Sequence, residues 1–387
     1  MECLVGVKSS ICFVATTPFA VNAFLSTHLL ALVQEYDITL CVNTTAYPLD
    51  AAIGRAIKVR HVDIERKISP YLDLLTLFQL MYCFLDVRPS AVHSMTPKAG
   101  LLAMLSALLV GVPWRIHSFT GQVWSNKTGA ARLLMKTIDH LIALCANKVF
   151  ADSESQCRFL EENNVVKRGS VHVLGNGSVA GVNVSRFNPN PSARIEFRRE
   201  IGISNEDLVF IFVGRLVRDK GVYDLVDAIS LVNSYHPQWQ LWMVGPDEDG
   251  IRAELEKRSL ELGARVCWFG PTPTPECYLR AADIFVLPSF REGFGSVIIE
   301  AAACGVPSIA YRTEGVVDAI IDLQTGLLVE KGNVQALASA MQRLGIDQCL
   351  RLQLGEASRF RASHLFSSIN VTDSWQIFYS GLFQSQA

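Results

Sequence analysis

Residues 284–302 read IFVLPSFREGFGSVIIEAA. The apolar run Ile284–Leu287, stopped by Pro288, has the length and composition of a buried strand, and the segment from Ser296 reads as a helix. Between them lies a glycine-rich loop that carries the carboxylate of Glu292. Strand, loop and helix in that order form part of a parallel β–α–β repeat, and in such sheets ligands sit beyond the carboxyl ends of the strands. The residues that follow each strand are therefore the ones to read for function.

The same alternation extends in both directions. Apolar runs at Leu208–Val213, Gln240–Val244, Arg265–Phe269 and Ser308–Tyr311 accompany Ile284–Pro288. An earlier series comprises Ile11–Ala15, Ile38–Val42, Ala91–Ser94, Trp114–Phe119, Lys148–Ala151 and Val171–Leu174. Helical segments lie between these, at Asn22–Gln34, Leu72–Leu85, Lys98–Val110, Gly129–Ala146 and Ser153–Glu162. Periodicity breaks around Asn183–Asn205, where Asn188-Pro189-Asn190-Pro191 precedes a short charged helix, Ala193–Ile201. The expectation is an α/β protein of two doubly wound domains facing each other across a ligand cleft. Residues 1–185 form one domain and residues 186–365 the other, and a helical segment, 366–387, packs back on the first.

Composition narrows the function. Of 387 residues, 50% are hydrophobic and 19% charged, which excludes a disordered chain. A formal net charge of −2 carries no basic excess of the kind that binds nucleic acid. The clusters Arg60, Arg66, Lys67 and Arg194, Arg198, Arg199 read as solvated surface. Ten cysteines without a C-x-x-C, mostly inside apolar runs, suit free thiols in a reducing cytoplasm better than disulfides or zinc. The uncharged stretch Ser9–Gln34 after Lys8 resembles a signal peptide, but Thr16, Thr17, Pro18, Asn22, Ser26 and His28 interrupt it. A strand, a turn at Pro18 and a helix from Asn22 read better. The stretch Ala99–Trp114 falls short of the ~20 residues a membrane span needs.

Two post-strand segments carry the strongest chemistry. After Leu208–Val213 come Gly214, Arg215 and, five residues on, Lys220, at the start of the next helix. Cations oppose the dipole of a helix N-terminus, so a ligand's phosphates explain them better than surface placement alone. After Ile284–Pro288, Glu292 and Glu300 are eight residues apart, close to one face of a continuous helix. Phe294, Gly295 and Ser296 would offer free N–H groups to a phosphate there. A buried salt bridge is the other reading of Glu300. In the first half, His117 precedes Thr120 and Gly121, and it reads equally as a cleft residue or a satisfied structural histidine. Gly175-Asn176-Gly177-Ser178 reads as a tight turn lining the cleft. Asp247-Glu248-Asp249 reads as a metal-binding D-x-D or as an acidic helix start; no metal is assigned to it.

Taken together, these residues resemble the retaining glycosyltransferases of family 4, with the two-Rossmann-domain GT-B fold, over nearly the whole chain. The most specific element is the E-x7-E motif of Glu292 and Glu300 within Phe290–Gly295. Gly214-Arg215-Leu216 with Lys220 matches the family's donor-phosphate site. Asn176-Gly177-Ser178 followed by Asn183 and Arg186-Phe187 is similar to its N-G-V-D-x-x-x-F segment, with Ser178 and Asn183 as departures. The resemblance implies that Glu292 holds hydroxyls of the donor sugar, Glu300 binds the ribose, and Arg215 and Lys220 neutralise the departing diphosphate. It implies that His117 contacts the sugar. It also implies same-face substitution assisted by the leaving phosphate, with no metal and no cofactor beyond the nucleotide-sugar substrate.

The first loop reads Thr16-Thr17-Pro18-Phe19-Ala20, where many relatives have a glycine pair. With Met95–Gly100 and His117–Gln122 it is similar to bacterial enzymes that extend lipid-linked surface polysaccharides. That branch implies a UDP-linked hexose or N-acetylhexosamine donor, a lipid-diphosphate-linked saccharide acceptor, and work at the cytoplasmic face of the inner membrane. Thr17, Lys98, Thr120 and Gly121 are then the acceptor-side candidates, and for Lys98 a plain helix-start lysine is an equal reading. Leu72, Leu75, Phe78 and Tyr82 recur at helical spacing near Arg60, Arg66 and Lys67. They form either a membrane-surface helix or an ordinary core-facing one. Two further readings keep the architecture: a nucleotide-sugar epimerase, and a catalytically silent binding subunit. Glu292, Arg215 and Lys220, all present, argue against the latter.

Overall fold

The computed structural model describes residues 8–45, 47–65 and 69–384. Arg66 and Lys67, assigned above to a basic cluster, lie outside the described residues. Two compact units are present: residues up to Ala180 together with the chain from Val371, and Gly181–Asn370.

The first unit holds a seven-stranded parallel sheet of β1 (Ser10–Ala15), β2 (Asp37–Val42), β3 (Lys58–His61), β4 (Ala91–Met95), β5 (Trp114–Phe119), β6 (Lys148–Ala151) and β7 (Val171–Val173). Their spatial order is β3-β2-β1-β4-β5-β6-β7. On one face pack the helices Pro70–Val87, Pro97–Leu109 and Gly129–Cys145, through Leu80, Phe84, Ala103 and Ile142. A second cluster joins Val21, Leu29 and Ile53 to Trp375 and Tyr379 of the C-terminal helix Ser368–Gln384. Trp375 stacks on both His28 and His93, with ring centroids 4.8 and 4.9 Å away. Both imidazoles are held neutral by burial, His28 pushed down to about 4 and His93 to about 3.

The second unit holds six parallel strands, β8 (Val209–Val213), β9 (Gln240–Val244), β10 (Val266–Phe269), β11 (Ile284–Leu287), β12 (Ser308–Tyr311) and β13 (Gly326–Val329), in the order β10-β9-β8-β11-β12-β13.

Three expectations are corrected. The helix read at Asn22–Gln34 is two helices, Pro18–Phe24 and Ser26–Leu32. Proline is pre-set for the first helical position, so the helix starts at Pro18, and Ser26 Oγ bonds back to Asn22 O at the junction. Strand β3 escaped notice because Lys58-Val59-Arg60-His61, at the sheet edge, is mostly solvated and has no apolar run. Arg194 and Arg198 are not solvated surface: both reach Asp283, and the fully buried Arg198 also donates to the carbonyls of Ala281, Ser204 and Asp207.

Candidate functional site

In the second unit the chain runs from β8 outward to β10 and returns to β11 on the other side of β8. The connections after β8 and β11 therefore diverge and open a crevice at the carboxyl ends of these strands. After β8, Arg218–Lys220 forms one 3-10 turn and Gly221, at φ 68°, leads into the helix Val222–Asn233. A Cβ on residue 221 would stand 1.9 Å from the Pro288 carbonyl oxygen, so only glycine lets the two loops approach this closely. The Phe290 N–H donates to Asp219 O at 2.9 Å and the Ser289 hydroxyl to the same oxygen at 3.3 Å.

This stitching sets Lys220 Nζ 2.5 Å from Glu292 Oε1, with both side chains largely buried. The two cations read as one group are divided between partners. Arg215 Nη1 lies 2.8 Å from Glu248 Oε2 on a more exposed surface. The neighbouring carboxylates are also engaged. Asp247 accepts from the N–H groups of Ile251 and Arg252 where the helix Arg252–Glu261 begins, and Asp249 accepts from that of Arg218. The helix-start reading therefore describes Asp247.

Glu292 sits in the loop, and the helix runs only from Ser296 to Ala303 behind Gly295, whose φ is 82°. The shared helical face argued for Glu292 and Glu300 is thus wrong, because residues 293–295 are not helical and Glu300 stands just over one turn in. Phe294 is buried with its ring edge-on to Phe366, so only its backbone can serve a ligand. The Glu300 side chain forms no hydrogen bond or ion pair with a described residue, so the salt-bridge reading fails. Loss of water pushes its carboxyl up to about 7, an effect that the charge of Arg186 offsets in part. Arg186 itself is 2.8 Å from Glu276.

The first unit has the same topology, with its crevice between β1 and β4. There Thr16 Oγ1 and Thr96 Oγ1 are 2.7 Å apart. Thr17 is buried at the start of the helix Pro18–Phe24, and Lys98 Nζ lies 2.5 Å from Asp73 Oδ1. His117 is buried, its Nδ1 2.8 Å from Ser94 Oγ and its ring edge-on to Phe119. Burial pushes its pKa down to about 3, so the ring is neutral. Thr120 and Gly121, at φ 94°, follow β5 as half-buried and buried residues.

Two buried groups near these strand ends escaped the sequence reading. Among the described residues, the Gln122 amide has no hydrogen-bond partner at Nε2 or Oε1, and Asp152, just after β6, has none at Oδ1. Asp152 lines a small recess with Ser118, Ser178 and Trp375, and burial pushes its carboxyl well up. Their place directly after strands was the available signal.

A family model described as glycosyl transferases group 1 matches residues 193–361, and one described as a glycosyl transferase 4-like domain matches residues 27–177. The chain is 29% identical over 325 residues to CapM of Staphylococcus aureus, a capsular polysaccharide biosynthesis glycosyltransferase, across 84% of this chain and 85% of that one. It is 25% identical over 331 residues to the Escherichia coli UDP-Gal:alpha-D-GlcNAc-diphosphoundecaprenol alpha-1,3-galactosyltransferase, across 82% of each. Among solved structures, the sucrose-phosphate synthase of Thermosynechococcus elongatus matches with a TM-score of 0.84 at 21% identity, over 98% of this chain and 100% of that one. That likeness is one of fold, the GT-B arrangement of two Rossmann-like domains.

Proposed function

We propose that this chain, which belongs to the GT-B glycosyltransferases of family 4, moves a hexose or N-acetylhexosamine from a UDP-sugar to a lipid-diphosphate-linked saccharide in surface polysaccharide assembly. The transfer retains anomeric configuration and uses no metal. It takes place at the cytoplasmic face of the membrane that carries the acceptor.

One observation carries this reading: the Lys220–Glu292 pair at the β8/β11 crevice. A nucleotide-sugar has a diphosphate next to a polyhydroxylated ring. Lys220 and Arg215 supply cations for the diphosphate, whose charge grows as the glycosidic bond breaks. Glu292 supplies an acceptor for sugar hydroxyls. Glu300, without a side-chain partner among the described residues, accepts from the ribose in this reading. His117, neutral and fixed through Nδ1 by Ser94, acts as a hydrogen-bonding group on the sugar and not as an acid. The S. aureus and E. coli relatives support the pathway and the donor nucleotide by what their names describe.

The test is an assay of UDP-, GDP- and dTDP-sugars with a lipid-diphosphate acceptor in excess chelator. Turnover with a UDP-sugar is expected, with the new linkage keeping the donor's configuration and with Glu292→Ala inactive but folded. Activity restored only by a divalent ion, or normal turnover by Glu292→Ala, contradicts the reading.

A further inference from the structure

The helix Pro70–Val87 is largely apolar, its polar side chains being Asp73, Thr76, Gln79 and Asp86 besides the tyrosine hydroxyls. By length and composition it could cross a membrane, yet its Leu80, Cys83 and Phe84 pack into the core of the first unit. The opposite face is solvated: Tyr71, Leu75, Phe78, Tyr82 and Leu85 follow one another at intervals of four and three residues, and Tyr82 is 75% exposed. Next to it lies the helix Pro97–Leu109, with Leu108 and Leu109 exposed. Beyond that, the helix Gly129–Cys145 exposes Leu133, Leu134, Leu141 and Leu144. Three neighbouring helices on one side of the sheet thus present apolar side chains outward, more than a scatter of exposed residues explains.

Charge at this layer is one-sided. Residues 70–145 hold three carboxylates: Asp73 is paired with Lys98, Asp86 with Arg60, and Asp139 is buried on the Trp124 indole N–H. Lys127 and Lys136 have no carboxylate partner among the described residues. Asp63, exposed beside the first helix, is engaged by Gln79 Nε2 at 3.1 Å and by His61 at 2.8 Å. An apolar surface with tyrosines, fringed by cations and with these carboxylates engaged, complements an anionic lipid bilayer.

We infer that the outward face of the helices Pro70–Val87, Pro97–Leu109 and Gly129–Cys145 is a docking surface for an anionic membrane, into whose interface Tyr71, Leu75, Phe78, Tyr82 and the leucines of the last helix insert. The inference deepens the reading of a membrane-borne acceptor without depending on the chemistry of the crevices.

The test is flotation of the full chain with phosphatidylglycerol/phosphatidylethanolamine vesicles, and with phosphatidylcholine vesicles, all free of acceptor. Binding to the anionic vesicles is expected. It should fall about tenfold or more in Leu75→Glu/Phe78→Glu/Tyr82→Glu and on phosphatidylcholine. Because these side chains are exposed, the melting temperature should be unchanged. Leu260→Glu/Leu352→Glu, equally exposed changes in the second unit, should bind as the wild type does. Binding unaffected by the triple substitution overturns the inference. So does a wild-type dimer that the substitution dissociates while neither form binds vesicles. Transfer to a short-chain, water-soluble acceptor should survive the triple substitution. If the chain binds vesicles but transfers to no lipid-diphosphate acceptor, the acceptor reading fails and the docking surface stands.

Discussion

The two sheets share one connectivity and differ in what crosses their switch points. Between β1 and β4 two threonine hydroxyls meet, beside a neutral histidine. Between β8 and β11 a lysine meets a glutamate. Backbone topology makes both crevices, and the first few residues after each strand decide their chemistry. An ion pair in a largely buried crevice has given up water on both sides. A ligand that brings phosphates to the lysine and hydroxyls to the glutamate makes up for part of that lost hydration. At the first crevice the one lysine, Lys98, is paired with Asp73, and the groups between the strands are hydroxyls and a neutral imidazole, which suit neutral hydroxyls.

The harshest way to break that contrast is to remove the charge from the second crevice. Lys220→Met should lower kcat about 10²- to 10³-fold, the usual cost of losing one donor aimed at developing charge, while KM changes little. Steady-state kinetics decides the point: a raised KM with normal kcat would make Lys220 a ground-state binder only. Met keeps the aliphatic stem, so the loop between Gly214 and Gly221 should keep its shape.

The first crevice is best broken through packing. A Cβ added at Gly100 would stand 2.4 Å from His117 Cε1 and 2.8 Å from its Nδ1. Gly100→Ala should therefore push the ring off Ser94 and cost about 1–3 kcal/mol, as overpacking of a filled core does. Urea denaturation measures the loss, and transfer activity should fall with it. Unchanged stability would mean that the ring moves freely, contrary to its burial.

Most of this architecture was legible because parallel strands covered on both faces read as unbroken apolar runs. Ile284–Leu287 and Gln240–Val244 announce themselves in that way; Lys58–His61, an edge strand, does not. The candidate residues were legible because a sheet of this kind directs ligands to its strand ends. Their pairings were not. That Lys220 meets Glu292 depends on Gly221 passing within reach of Pro288, a contact across nearly seventy residues. Spacing alone also suggested a helical face shared by Glu292 and Glu300, which a loop ending at Gly295 removes.

Acidity offers the finest distinction, because the two crevices titrate in opposite senses. The Glu300 carboxyl is raised from 4.5 to about 7 in the folded chain. Between those values the folded state holds a proton that the unfolded state releases, so stability falls as pH rises from 4.5 through 7. His117 is lowered from 6.5 to about 3, so the folded chain loses stability as pH falls below 6.5. Glu300→Gln removes only the first effect. The variant should be more stable than the wild type at pH 8, by roughly 1–3 kcal/mol, and the difference should shrink to little at pH 4.5. Both should still weaken together on further acidification, through His117 and the other buried imidazoles. Urea denaturation across pH 4 to 8 separates these effects. A constant offset between the two proteins would show that Glu300 is not the group that titrates. Loss of nucleotide-sugar affinity in the same variant, despite its gain in stability, would mark the carboxylate as retained for a ligand and not for the fold.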